Sequence, residues 1–150
     1  MKETYFRWCR LADLTGLEVH ALLAAREAVF VVEQNCPYQE ADQFDKNSWH
    51  LIGYNDSVVS CYLRVVDPGY KYSEPSIGRV LTSKSYRGTG LGKKLTKVGI
   101  ARTQSTFPAA GIRMSAQAYL RDFYESFGFR VVSDEYMEDD IPHIEMLLEA

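Results

Sequence analysis

The stretch from Ile77 to about Thr106 constrains the fold more than any other part of the chain. Ile77-Gly78-Arg79-Val80-Leu81-Thr82 is a β-type run, and Leu91, Leu95 and Val98 recur at helical spacing. Between them lies Arg87-Gly88-Thr89-Gly90-Leu91-Gly92, so a strand feeds a glycine-rich turn that opens directly into a helix. Free backbone N–H groups and the positive end of a helix dipole converge at such a turn. Its glycines let a phosphate reach the backbone without meeting a side chain. A phosphate-bearing ligand is expected here, beside a basic spot made by Lys84, Arg87, Lys93, Lys94 and Lys97.

Two familiar phosphate patterns fail on spacing. The Walker turn needs four residues between its glycines and a Ser or Thr after the lysine. Here Gly88 and Gly92 enclose three residues, and Lys93 is followed by Lys94. In the dinucleotide pattern G-x-G-x-x-G the last glycine would fall at Lys93.

Around this unit the chain reads as one α/β or α+β domain over residues 1–150 with a mixed sheet. Tyr5–Trp8 is a short first strand. Thr15 and Glu18 form a capping box, flanked by Leu14 and Val19 as a hydrophobic staple, and open a helix to about Val32. Its apolar residues cover more than one stripe, which predicts burial on two sides. An acidic loop, Tyr38–Asp45, follows Asn35-Cys36-Pro37. Trp49–Tyr54 and Val58–Val66 make a hairpin around Asn55-Asp56, with Val59, Cys61, Leu63 and Val65 on one face. Later come a strand at 112–117, a short helix carrying Leu120, Phe123, Tyr124 and Phe127, an extended Phe129–Val132, and a tail strand alternating at Ile144, Met146 and Leu148.

The net charge of −3 argues against general nucleic-acid binding. Three cysteines, Cys9, Cys36 and Cys61, form no CxxC pair, and with His20, His50 and His143 they show no metal-ligand spacing, so no metal is expected. The start Met1–Trp8 lacks the apolar run of a leader, and no segment approaches the ~20 apolar residues of a membrane span. A cytoplasmic protein with no membrane partner is the expectation, as a monomer or as a homodimer paired through the tail strand.

Arg87, Gly90 and Gly92 fit R-x-x-G-x-G, and Tyr124-Glu125-Ser126-Phe127-Gly128-Phe129 fits Y-x-x-x-G-F. Together, in this order and setting, they resemble the coenzyme A turn and downstream signature of the GNAT superfamily of N-acetyltransferases. Ala28–Tyr38, Ile77–Val80, Ala116-Gln117 and Ile141–Met146 resemble its ElaA-type branch. That branch often reads E-D-G before I-P-H, where this chain has Glu138-Asp139-Asp140. The resemblance implies the acyl-CoA N-acyltransferase fold, a mostly antiparallel central sheet flanked by helices. It also implies acetyl transfer from acetyl-CoA straight to a primary amine of a small molecule or peptide.

The same resemblance implies site roles. Val80, Leu81 and Thr82 would pair with the pantetheine arm, and the Leu81 N–H at a strand bulge would polarise the acyl carbonyl. Arg87, Gly88, Thr89, Gly90, Leu91, Gly92 and Lys93 would hold the pyrophosphate. Gln117 falls where the family often has an Asn. Tyr124, a phenol protonated at neutral pH, would be the general acid for the CoA thiolate. For the base that deprotonates the amine the candidates are Glu33, Glu40, Asp42, Asp45, His50 and His143, with Glu33 and His143 best placed. Each carboxylate also reads as a solvated surface charge and each histidine as an ordinary polar residue, the reading favoured for any single one, and the acidic loop as a group would attract a cationic acceptor. A CoA-binding sensor without turnover and a nucleotide or polyphosphate binder are the competing readings.

Overall fold

The computed structural model describes residues 3–150. Met1 and Lys2, the start of the segment read as lacking a leader, lie outside the described residues. Strand β1 (Tyr5–Arg10) leads to helix α1 (Gly16–Glu27), whose capping box forms as expected. Thr15 N donates to Glu18 Oε1 at 2.9 Å, and Glu18 N donates to Thr15 Oγ1 at 3.2 Å. α1 runs on into a widened π-type turn, Ala28–Glu33. The acidic loop then leads to the hairpin β2 (Ser48–Asn55) and β3 (Val58–Val66), and a polar link to β4 (Ser76–Thr82). Beyond the glycine turn come α2 (Leu91–Thr106), β5 (Ile112–Gln117), the short α3 (Arg121–Glu125), β6 (Arg130–Val131), β7 (Tyr136–Glu138) and β8 (Ile141–Leu148).

All eight strands join one sheet in the order β1-β2-β3-β4-β5-β8-β6, with β7 also on β8. Every pairing is antiparallel except β4 with β5. One core fills the α2 side, around Leu51, Leu63, Leu95, Ile112, Met114 and Met146. The second fills the α1 side, around Leu22, Val29, Ile52, Tyr62 and Leu81.

Three sequence expectations need correction, and one strand is new. α1 is buried on one face only: Leu22 and Arg26 are its buried residues, while Leu17 is 83% exposed. Val59 does not share a face with Cys61, Leu63 and Val65, because Ser60 bulges out of the ladder between Gly53–Cys61 and Tyr54–Val59. One extra residue reverses the alternation, and Val59 joins the other core. β7 has no counterpart in the sequence reading; it turns back onto β8 through Asp139 and Asp140, both at positive φ. Finally, β8 is paired on both sides, by β5 and by β6 with β7, so the tail strand offers no edge for pairing with a second copy.

The feature that shapes the site is the parallel pair. β4 and β5 are in register only at Ser76–Arg113 and then diverge. β4 also bulges: Tyr62 faces Leu81 and Arg64 faces Gly78, so Arg79 and Val80 together oppose Leu63. Arg79 takes φ +52° to do this.

Candidate active site

The glycine turn forms as the sequence predicts. Gly88 and Gly90 take φ of +76° and +81°, conformations that a residue with a Cβ rarely adopts, and a Cβ at either would point into open space. Gly90 starts α2 with no side-chain cap, and the first turn holds Lys93 and Lys94 but no acid. The first N–H groups of a 16-residue helix are therefore left for a ligand, and lysines at its positive end are favourable only beside an anion.

A groove of about 610 Å³ runs from this turn into the opening between β4 and β5. Of the residues assigned to the donor, Val80, Leu81 and Thr82 line it along β4. Arg87, Gly88, Gly90, Leu91 and Gly92 line it at the turn, and Tyr124 closes its inner end. Three others lie elsewhere. Thr89 donates its hydroxyl to Tyr86 O at 2.8 Å on the far side of the turn, Lys93 stands exposed, and Gln117 lines a neighbouring cavity. Val29, Tyr86, Leu120 and Phe123 also line the groove. Leu120 and Phe123 lie on the short helix read from its apolar spacing, which does not tell a core wall from a groove wall.

The second cavity, about 160 Å³, lies on the other side of the opening, over Gly78 and Arg79. Val80, Leu120 and Tyr124 line both spaces, so this is where they meet. Tyr124 is 4% exposed, and burial, with Tyr119 nearby, pushes its phenol well above the usual range. Its hydroxyl makes no hydrogen bond with any described residue.

The acidic loop is not an acceptor-attracting surface. Its carboxylates are built into a buried network with three arginines. Arg26, fully buried, donates from Nε to Glu40 at 2.8 Å and from Nη1 to Asp45 at 2.9 Å. Arg64 pairs with Asp42 at 2.7 Å and with Asp45 at 3.1 Å. Arg79 reaches Glu40 at 2.8 Å and Asp42 at 3.1 Å. Burial works against the charge on Asp45, yet the hydrogen bonds and charges of Arg26 and Arg64 outweigh it and hold the carboxyl below its usual value. His50 is fully buried in the same network, with Nδ1 against Tyr62 Oη at 2.6 Å and Nε2 against Asp45 O at 3.0 Å. Glu40, Asp42, Asp45 and His50 are thus fold-holding groups, and none offers a free basic atom.

The two preferred bases are engaged as well. Glu33 makes a bidentate pair with Arg87, at 2.7 and 3.1 Å, across the mouth of the groove. That pairing lowers the Glu33 carboxyl, which makes it a weaker base. His143 has Nδ1 against Ile141 O at 2.7 Å and Nε2 against Glu138 at 3.2 Å, so neither nitrogen is open. Leu81 also departs from its assigned role. The bulge falls at Arg79–Val80, and Leu81 is back in the ladder opposite Tyr62. Cys36 lines the second cavity, with its thiol raised by desolvation and by Asp139 and Asp140, which disfavours the thiolate.

A sheet opened between β4 and β5, with a glycine turn at the head of a helix beside the gap, defines an acyl-CoA-dependent acyltransferase. The sequence matches the acetyltransferase (GNAT) domain family over residues 12–150. It is 45% identical over 146 residues to a UPF0039 protein of Synechocystis, covering 97% of this chain and 95% of that one. Against protein ElaA of Escherichia coli it is 38% identical over 141 residues, 93% and 92% of the two chains. The crystal structure of ElaA superposes with a TM-score of 0.92, covering 98% of this chain and all of that one. An acyl-CoA N-acyltransferase of Pseudomonas aeruginosa superposes at 0.93 with 40% identity, covering 97% and 99%. The chain belongs to the GNAT family, in its ElaA-type branch.

Proposed function

We propose that the protein moves the acetyl group of acetyl-CoA directly to the primary amine of a small molecule or peptide. The pyrophosphate would lie on the N–H groups of Gly88–Gly92 and beside Arg87, with the pantetheine arm along Val80–Thr82. An extended arm fits there because β4 has lost β5 as a neighbour beyond Ser76, leaving an unpaired edge. The N–H that meets the acyl oxygen is reassigned from Leu81 to the Arg79–Val80 bulge, where an extra residue breaks the ladder. Charge developing on that oxygen would be met by a donor already in place.

The observation that carries this reading is the Tyr124 hydroxyl, without a partner where groove and cavity meet. The side chain is buried but its hydroxyl opens onto the groove, where a ligand atom can be its partner. Protonated at neutral pH, it can donate to the sulfur as the C–S bond breaks. Tyr124→Phe should lower kcat by about 10²-fold, the lower end for a positioned acid, with acetyl-CoA Kd unchanged. An unaltered kcat would remove Tyr124 from the chemistry.

A further inference from the structure

The second cavity is lined by charge of both signs. The β7–β8 turn brings Glu138 and Asp139 to it, and Arg64, Lys71 and Arg79 line it as well. Within the buried network Arg26, Arg64 and Arg79 are balanced by Glu40, Asp42 and Asp45, so that set has no charge to spare. Lys71 lies outside it. Among the described residues no carboxylate comes within ion-pair distance of its ammonium, which rests 5.7 Å from the Tyr72 ring. Desolvation lowers its pKa, Glu138 opposes that shift, and the charges of Arg64 and Arg79 add to it.

Arg64 shows a second deficit at the same place. It is 2% exposed and lines the cavity; its Nη1 is used by Asp42 and Asp45, but its buried Nε–H has no partner. Opposite Arg64 in the ladder is Gly78, where a Cβ would meet nothing within 4 Å. The cavity floor is bare backbone in front of a guanidinium whose Nη2 donates to no described residue and is not sealed off. A guanidinium with an open donor and an exposed ammonium without a carboxylate partner, beside one open floor, suit an acceptor oxygen carrying negative charge.

We infer that this cavity seats the carboxylate of a zwitterionic amino-acid acceptor, held by Lys71 and Arg64, with its amine turned toward Glu138 and the Val80–Tyr124 junction. The inference rests on the acyltransfer reading and adds the acceptor's chemical class. An amine without a carboxylate would leave the Lys71 ammonium and the open Arg64 donor without an acceptor, and a carboxamide would offer only a neutral oxygen.

The test is thiol release from acetyl-CoA with each free amino acid and its carboxamide as paired acceptors. For the best pair, kcat/KM should favour the acid at least about tenfold, as expected for losing a charge-assisted contact. Lys71→Met should collapse that ratio toward one. Gly78→Leu, at a position of ordinary φ, should fill the floor and abolish acceptor use. Acetyl-CoA titration of both variants shows that they remain folded. A binding arm stands apart from turnover: with CoA present, N-acetylalanine should raise the thermal midpoint and N-acetylalaninamide should not. Amides used or bound as well as acids, or a Lys71→Met variant that keeps the full preference, would overturn the inference. Failure of acetyl-CoA itself to bind the wild-type protein would overturn the acyltransfer reading instead.

Discussion

Replacing Arg26 by methionine tests the claim that the acidic loop is held from inside. Methionine keeps an unbranched stem for the helix face and removes the charge. Arg26 is fully buried and donates to both oxygens of Glu40, to both of Asp45 and to Glu40 O. Losing one partner of a buried ion pair costs about 3–5 kcal/mol, because the remaining charge is left uncompensated. Here each carboxylate keeps a second arginine, Arg79 for Glu40 and Arg64 for Asp45, which places the loss near the lower end, about 3 kcal/mol. In a chain of this size that corresponds to a fall in Tm of about 6–12 °C. Urea unfolding followed by tryptophan fluorescence gives the number directly, with Trp49, stacked on Trp8 beside the α2-side core, as the reporter. Adding Asp45→Asn removes the excess negative charge, so the double variant should lose clearly less than the two single losses combined. A loss below 1 kcal/mol for Arg26→Met, or strict additivity, would refute the account of the network.

Three other outcomes follow from the same geometry. Glu33 and Arg87 are both about two-fifths exposed, so their pair contributes little to stability, but it occupies the arginine expected to meet the pyrophosphate. Glu33→Gln should tighten acetyl-CoA binding about two- to fivefold by calorimetry; weaker binding would show that the carboxylate helps the donor. His50 is depressed from its ordinary 6.5 by burial and by the nearby Arg26 and Arg64 charges, so the unfolded chain binds its proton first. Its contribution is complete above pH 6.5 and is lost as pH falls through the folded value, and that of Asp45, depressed from 3.8, is lost below about pH 4. Stability against pH should therefore fall in two stages, the first absent in His50→Gln; a flat profile from pH 7 to 5 would contradict this. Asp140 takes φ +60° in the β7–β8 turn, where a glycine has no Cβ penalty. Asp140→Gly should raise stability slightly in thermal melts, because the left-handed cost of about 1–2 kcal/mol outweighs the added chain entropy of about 0.5–1 kcal/mol; destabilisation would show that the Asp140 side chain has a role of its own.

The donor side was legible in the sequence because its parts are local. Gly88, Gly90 and Gly92 lie within five residues between a strand and a helix, and Tyr124 sits four residues before Gly128. The acceptor side is made by distant pairings that composition cannot show. Glu40, Asp42 and Asp45 read as a free acidic loop since their partners, Arg26, Arg64 and Arg79, stand on α1, β3 and β4. Glu33 looked like a base because Arg87 is 54 positions away. The bulge was misplaced to Leu81 because an arginine at positive φ carries no local signal; it is stabilised by its contacts with Glu40 and Asp42. β7 escaped because three residues are too few for a period, and its turn uses Asp-Asp where glycine would have marked it.

The central claim is that the groove between the glycine turn and Tyr124 is an acyl-CoA seat. Calorimetric titration of the wild-type protein with acetyl-CoA, with ATP as the control phosphate, tests it most directly. Saturable binding of acetyl-CoA at one site per chain, with little or none of ATP, is the predicted result. Binding of ATP without acetyl-CoA would contradict the account.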